Sequence, residues 1–262
     1  MKELNILICE GNTPEEGKVF QDVGIPTHTE SLKESLAYYN KKLNIDVLNP
    51  CLELDLNKTI PELKKYDGLI WGGSSLNIYN DTPEIRRQIS FMKICFKNIK
   101  KILAICWGMQ VAVTAAGGEV KKGVKGSHIG IANEIELTDQ GISNLFYKDK
   151  KNKFNTPAFN FDEVCELPEG ATLLASDKVN NIMGVYFKSA NSEVWGLQYH
   201  PDYEYWQMIN LSNERMGKMI AKEYFKNEEA FKKHIDFIKS EEKSLDFENK
   251  TYEIQNWLNI IR

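Results

Sequence analysis

The chain has five cysteines, at positions 9, 51, 95, 106 and 165, and no two of them form a C-x-x-C pair. An odd count without such a pair is neither a disulfide framework nor a zinc pattern, and it fits a reducing compartment. There is no basic excess either. Acids and bases are interspersed and the formal net charge is -4, which argues against a nucleic-acid surface. No stretch approaches the roughly 18 apolar residues of a transmembrane helix. Met1-Lys2-Glu3-Leu4-Asn5 is followed by only a short apolar run before Glu10, where a secretory signal needs a longer run and a cleavage site. A soluble cytoplasmic protein is expected, with no membrane and no nucleic acid among its partners. The glycines show neither a Walker loop nor the spacing of a dinucleotide fingerprint, and there is no repeat, low-complexity tract or heptad series. Histidine is scarce, at positions 28, 128, 200 and 234 only.

What is present is an ordinary globular mixture, 42% hydrophobic and 27% charged over 262 residues. That length suffices for one large α/β domain without metal or disulfide staples. Leu4 to Cys9 is a short apolar run ending at Glu10-Gly11-Asn12, as expected of a buried parallel strand and its loop. Asn12 to Glu30 carries Pro14, Gly17, Gly24 and Pro26 without a sustained period, so a long loop is expected. Ser31, with Glu34 three residues on, forms a capping-box pattern for the helix that follows. Strands are predicted at Ile45 to Leu48, Asp67 to Trp71 and Lys101 to Ile105. A helix opens at Thr82-Pro83-Glu84, and another apolar helical stretch runs from Met109 to Ala116. Alternating strands and helices imply an open, mostly parallel sheet with helices on both faces. Beyond Gly117-Gly118 short strand candidates suggest a small antiparallel extension. From Tyr203 onward the chain reads as a charged helical tail with Phe231, Ile235 and Ile238 at helical spacing.

In such a sheet ligands bind beyond the carboxyl ends of the strands. Glu10, Gly72-Gly73 and Cys106 all fall at such ends, so three loops are expected to converge on one crevice. Cys106 stands where a strand turns sharply into a helix, with Gly108 two residues later. The helix N-terminus offers backbone N–H groups and a positive dipole end, which favour a thiolate and can hold an oxyanion. A buried structural cysteine is the plainer reading, suited to Cys9, Cys95 and Cys165. Cys106 differs in its company, since a cysteine nucleophile needs a base. His200, in Gly196-Leu197-Gln198-Tyr199-His200-Pro201-Asp202, also follows a strand, and Asp202 is near enough to orient its ring. His234 lies in the charged tail and reads as a surface histidine.

Ala104-Ile105-Cys106-Trp107-Gly108-Met109-Gln110 resembles the G-x-C-x-G-x-Q nucleophile elbow of class I, triad-type glutamine amidotransferases. Gly196-Leu197-Gln198-Tyr199-His200-Pro201-Asp202 resembles that family's G-x-Q-[FY]-H-P-E, and Gly72-Gly73-Ser74 stands where the family has its glycine-rich oxyanion loop. The three in order cover roughly residues 1 to 206 and imply a flavodoxin-like catalytic domain over 1–206, with 207–262 as a helical extension packed on it. The resemblance implies catalytic Cys106, His200 and Asp202, oxyanion donors at Gly73 and Trp107, and substrate contacts at Gly72, Gln110 and Asn160. It implies no cofactor and no metal. Two positions depart from the pattern: Asp202 replaces the usual Glu, and Asn160, in Phe159-Asn160-Phe161-Asp162-Glu163-Val164, replaces a histidine that usually lines the site.

The activity implied is hydrolysis of the glutamine side-chain amide through a cysteine thioester, with the ammonia passed to an unidentified acceptor. The roughly 55-residue tail is too short for an ATP-dependent synthetase domain. Either a separate synthetase or ligase subunit binds near the site, or the protein hydrolyses a free γ-glutamyl compound. The segment Asn12 to Glu30 is the candidate lid or partner-facing element. The alternatives are a γ-glutamyl hydrolase using the same triad and a non-catalytic binding protein that keeps the scaffold.

Overall fold

The computed structural model describes residues 3–262; Met1 and Lys2, the start of the segment read as lacking a secretory signal, lie outside the described residues. In chain order the first half contains β1 (Leu4–Cys9), α1 (Pro14–Asp22), α2 (His28–Tyr39), β2 (Leu43–Leu48), α3 (Leu56–Leu63), β3 (Gly68–Trp71), α4 (Pro83–Asn98), β4 (Lys101–Ile105) and α5 (Trp107–Ala115). There follow β5 (Glu119–Lys122), β6 (His128–Ile129), β7 (Ala132–Leu137), α6 (Asp139–Ser143), β8 (Lys153–Thr156), β9 (Phe159–Asn160), β10 (Asp162–Glu166), β11 (Thr172–Ser176), β12 (Gly184–Ser189) and β13 (Ser192–Leu197). Three helices close the chain: α7 (Tyr205–Ala221), α8 (Glu228–Glu242) and α9 (Phe247–Ile260).

The central sheet has the order β2-β1-β3-β4-β13-β12-β11-β7-β8. Its first five strands run parallel and the rest are antiparallel. The expected open, mostly parallel sheet and its antiparallel extension are therefore both present, and the extension continues the main sheet. Strands β3 and β4 are buried on both faces, which is why they read as unbroken apolar runs. Side-chain alternation divides the core. Ile6, Ile8, Ile70 and Leu103 meet Leu32 and Leu36 of α2 and Ile254, Trp257 and Leu258 of α9. On the opposite face Leu7, Leu69, Trp71 and Ile102 meet Ile85, Met92 and Phe96 of α4 and the apolar side of α5. The tail thus supplies one of the helices that cover the sheet.

Two details of the sequence reading are corrected. Asn12 to Glu30 is largely helical: Thr13 and Glu16 form a capping box for α1. Only Phe20 of that helix is buried, so it carries no apolar stripe to betray its period. The next helix is capped by Thr27 with Glu30, one turn before the expected Ser31, which is itself buried inside α2. Thr27-x-x-Glu30 and Ser31-x-x-Glu34 are the same signal in tandem, and the chain uses the first. Thr82 caps α4 with Pro83 at its first position, as the sequence indicates.

Candidate active site

Cys106 is the residue between β4 and α5, and its backbone is held at φ 53°, ψ -104°. For a residue with a Cβ this region costs on the order of 1–3 kcal/mol and persists only when neighbours enforce it. Here the Cys106 N–H donates to the Leu197 carbonyl at 2.6 Å and the Gly108 N–H donates to the Gly72 carbonyl at 3.1 Å. A Cβ at Gly108 would stand 2.3 Å from the Trp71 carbonyl oxygen, so only glycine allows the elbow to press against the end of β3. The turn is fixed from both flanking strands, and the sulfur is aimed into a cavity at the carboxyl edge of the sheet.

His200 lies beyond the end of β13, its N–H donating to the Pro157 carbonyl at 2.8 Å. Its Nδ1 is 3.2 Å from Asp202 Oδ1, and both side chains are buried. Burial opposes charge on the imidazole, but attraction to the Cys106 sulfur and the Asp202 carboxylate outweighs it and lifts the His200 pKa to about 10. Burial likewise opposes ionisation of Asp202, yet His200 and His28 hold its carboxyl well below the usual range.

His28 is the residue that the sequence reading left without a role. It opens α2 and stacks on His200, with ring centroids 5.0 Å apart and planes at 27°. The ring also meets Tyr203 and Phe20, at centroid distances of 4.7 and 5.7 Å. Its Nδ1 stands 3.5 Å from Asp202 Oδ2, and burial lowers its pKa despite that carboxylate. His28, His200 and Asp202 together place one donor atom each within 4.8 Å of one another, compact enough for a metal ion. Of these atoms, His200 Nδ1 and Asp202 Oδ1 already pair directly at 3.2 Å.

The remaining expected residues divide into those at the cavity and those beneath it. Gln110 and Trp107 line the cavity. Gln110 donates to Gln198 at 3.3 Å, and Gln198 in turn reaches the Cys106 sulfur at 3.4 Å. The indole of Trp107 donates to Gln88 at 2.7 Å, fixing the start of α5. Gly72 lies under the site, its N–H bound to the Cys9 carbonyl at 3.1 Å. Gly73 lies against the His28 ring, where a Cβ would come within 2.4 Å of it. Asn160 borders the cavity, but its amide is engaged elsewhere. Its Oδ1 pairs with His128 Nδ1 at 2.8 Å, and its Nδ2 donates to the Asp162 carbonyl at 2.9 Å. His128 continues to Asp177 at 2.7 Å, so the asparagine braces the cavity wall.

That cavity measures about 740 Å³ and combines the elbow, Ser74 and Ser75, the β9 segment, α1 and α7. The expected long loop and the tail therefore both contribute to its walls, through Glu16 and Val19 on one side and Arg215 and Lys218 on the other. Burial raises the Glu16 carboxyl, with the Thr13 N–H and Arg215 acting against it. Among the described residues no helix is long and apolar enough to cross a membrane.

The family model of class-I glutamine amidotransferase matches residues 25–207. A protein of a Pseudomonas species named gamma-glutamyl-L-1-hydroxyisopropylamide hydrolase is 31% identical, the match covering 98% of this chain and 93% of its own. Gamma-glutamyl peptidase 3 of Arabidopsis thaliana is 27% identical over 63% of this chain and 66% of its own. A glutamine amidotransferase structure from Thermotoga maritima superposes with a TM-score of 0.65 over 100% of this chain and 99% of that one. At 16% identity that likeness concerns the fold alone. With the family model spanning the elbow, the histidine strand and the sheet between them, the chain belongs to the class-I glutamine amidotransferase family.

Proposed function

We propose that the protein hydrolyses γ-glutamyl amides through a thioester on Cys106. The observation that carries this reading is Cys106, strained into the floor of a cavity of about 740 Å³, beside a buried His200–Asp202 pair. A volume of that order suits a ligand of drug-like size, and a glutamine side chain fills only part of it. The full-length relative's name points the same way, since its match with this chain includes the tail that forms one wall.

In the first step the Cys106 sulfur attacks the γ-carbonyl carbon, and the C=O electron pair moves onto oxygen. The backbone N–H groups of Gly73 and Trp107 receive that oxyanion. Collapse expels the amine, which takes the proton held by His200, and a thioester remains. Water then attacks the thioester carbonyl while His200 accepts its proton. Collapse of the second intermediate releases glutamate and the Cys106 thiolate. Asp202 keeps the His200 ring oriented and balances its charge throughout. Gln110 and Gln198 brace the sulfur side, and Asn160 acts as support for the wall.

The decisive experiment compares amine release from glutamine and from a γ-glutamyl anilide by the unmodified protein and by Cys106→Ala. Cleavage of the anilide that disappears in the variant is the expected result. Equal release by the variant overturns the reading. Preference for free glutamine, increased by a co-purifying synthetase, selects ammonia transfer to a partner subunit instead.

A further inference from the structure

The steps above make no use of Arg215, which lines the same cavity as Cys106. It projects from α7, in the part of the chain that the family model does not cover. Its guanidinium carbon sits over the Phe159 ring, 5.2 Å from the centroid. The Phe159 carbonyl is itself 3.9 Å from the Cys106 sulfur. One guanidinium N–H donates to Ser75 Oγ at 3.2 Å, two residues beyond Gly73. The Nε group lies 3.6 Å from its chain neighbour, Glu214, beyond hydrogen-bond range. A guanidinium offers five donors, so most of this fork is unspent. The side chain is 21% exposed, and burial lowers its pKa against the pull of Glu214 and Glu16.

The Arg215 donors not spent on Ser75 are open to the cavity, since none is a buried unpartnered atom, and an anion entering there can take them as charge-assisted hydrogen bonds. Every γ-glutamyl amide carries one such anion, whatever its amine. The α-carboxylate stands at the other end of a short aliphatic chain from the scissile carbonyl. Ser75 and Phe159 hold Arg215 at the sulfur end of the cavity, so both ends of the glutamyl group can be met together. Of the nearby acids, Asp162 is committed to Asn77 and Tyr79 at 2.7 and 3.0 Å. Lys122, Lys218 and Lys222 border the cavity too, but as point charges without the planar fork that matches a carboxylate.

Resting on the hydrolase reading above, we infer that Arg215, propped by Ser75 and Phe159, clamps the α-carboxylate of the γ-glutamyl group. It is a specificity determinant contributed by the helical tail.

The test pairs a γ-glutamyl anilide with the anilide of 4-aminobutanoate, which is the same molecule without the α-carboxylate. The unmodified protein should favour the glutamyl compound by about ten- to a hundredfold in kcat/KM, the range for a hydrogen bond to a charged group. Arg215→Met should reduce that preference to near unity, through KM for the glutamyl compound rather than kcat. Arg215→Lys should restore part of it, which guards against a fold defect. Lys218→Met should keep the preference intact. Preference retained in Arg215→Met, or lost in Lys218→Met instead, overturns the clamp while leaving the hydrolase reading standing. An unmodified protein that cleaves neither anilide overturns the hydrolase reading and the clamp with it.

Discussion

His28 Nδ1 faces Asp202 Oδ2 at 3.5 Å, on the side of the carboxylate that His200 leaves free. Where the family usually has glutamate, this chain has the shorter aspartate, and its buried carboxylate meets two stacked imidazoles. His200 pairs with one oxygen; among the described residues neither Oδ2 of Asp202 nor Nδ1 of His28 has a hydrogen-bond partner. On the proposed triad, His28 is expected to act as a positioning residue, through Asp202, on the ring of His200.

Replacing His28 with Phe keeps a ring in the stack but removes the imidazole nitrogen that faces Oδ2 at 3.5 Å. Leaving a buried carboxylate oxygen without that neighbour costs about 1–3 kcal/mol, and each 1.36 kcal/mol is tenfold in rate. The expected result is a kcat lowered by about ten- to a hundredfold with KM little changed, measured on a γ-glutamyl anilide. A KM effect alone would place His28 in substrate binding and not in triad alignment. Asp202→Asn should be more severe, because the amide cannot balance the His200 charge.

How much of this was legible in the sequence depends on where each partner lies along the chain. Cys106 and the His200–Asp202 pair were readable because each sits at the end of a strand, and His200 and Asp202 are two residues apart. His28 was not, because it enters on a segment whose first helix buries only Phe20 and so shows no period. The pairing of Asn160 with His128 was not legible, because the two are 32 residues apart and meet through the β6–β9 pairing. Arg215 was hidden among the charges of the tail, since a half-buried arginine and a solvated one are spelled alike. Local turn chemistry was visible; side chains that meet across the fold were not.

The His200 pKa predicts how stability depends on pH. Its folded value, about 10, lies above the ordinary value of 6.5. The folded state therefore binds a proton that the unfolded state releases between those two values. The resulting stabilisation is fully present below pH 6.5, declines as pH rises, and is lost above about 10. Cys106→Ala removes the sulfur whose attraction helps to raise this pKa. Its midpoint in urea should therefore fall less steeply between pH 7 and 10 than that of the unmodified protein. Parallel slopes would show that the sulfur does not hold the His200 proton.

The tail is tied to the segment that carries His200 by a buried network. Lys150 Nζ lies 3.0 Å from Glu253 Oε1 of α9, and both side chains are essentially inaccessible. The same carboxylate oxygen accepts from the Tyr199 hydroxyl at 2.6 Å, and Tyr199 immediately precedes His200. Removing one member of a buried ion pair strands the other charge and costs about 3–5 kcal/mol. Glu253→Gln should therefore lower the melting temperature strongly. Lys150→Met combined with Glu253→Gln should lower it less than the two single losses added together. Additive losses would mean that the two residues stabilise the fold separately.

The contact between Gly73 and His28 permits a test in which one defect relieves another. A Cβ on Gly73 would meet Cε1, Nε2 and Nδ1 of His28 at 2.4, 2.6 and 2.9 Å, so its three nearest neighbours all belong to that one ring. Gly73→Ala should displace the ring, disturb Asp202 through it, and lower both kcat and the melting temperature. In a His28→Ala background the obstacle is gone, so the same alanine should cost little further stability. Thermal unfolding of the four proteins in this cycle gives the coupling directly, and a Gly73→Ala penalty of equal size in both backgrounds would refute the contact. Recovery of stability without recovery of kcat is the specific expectation. The double variant relieves the clash, yet it still lacks the imidazole that faces the free oxygen of Asp202.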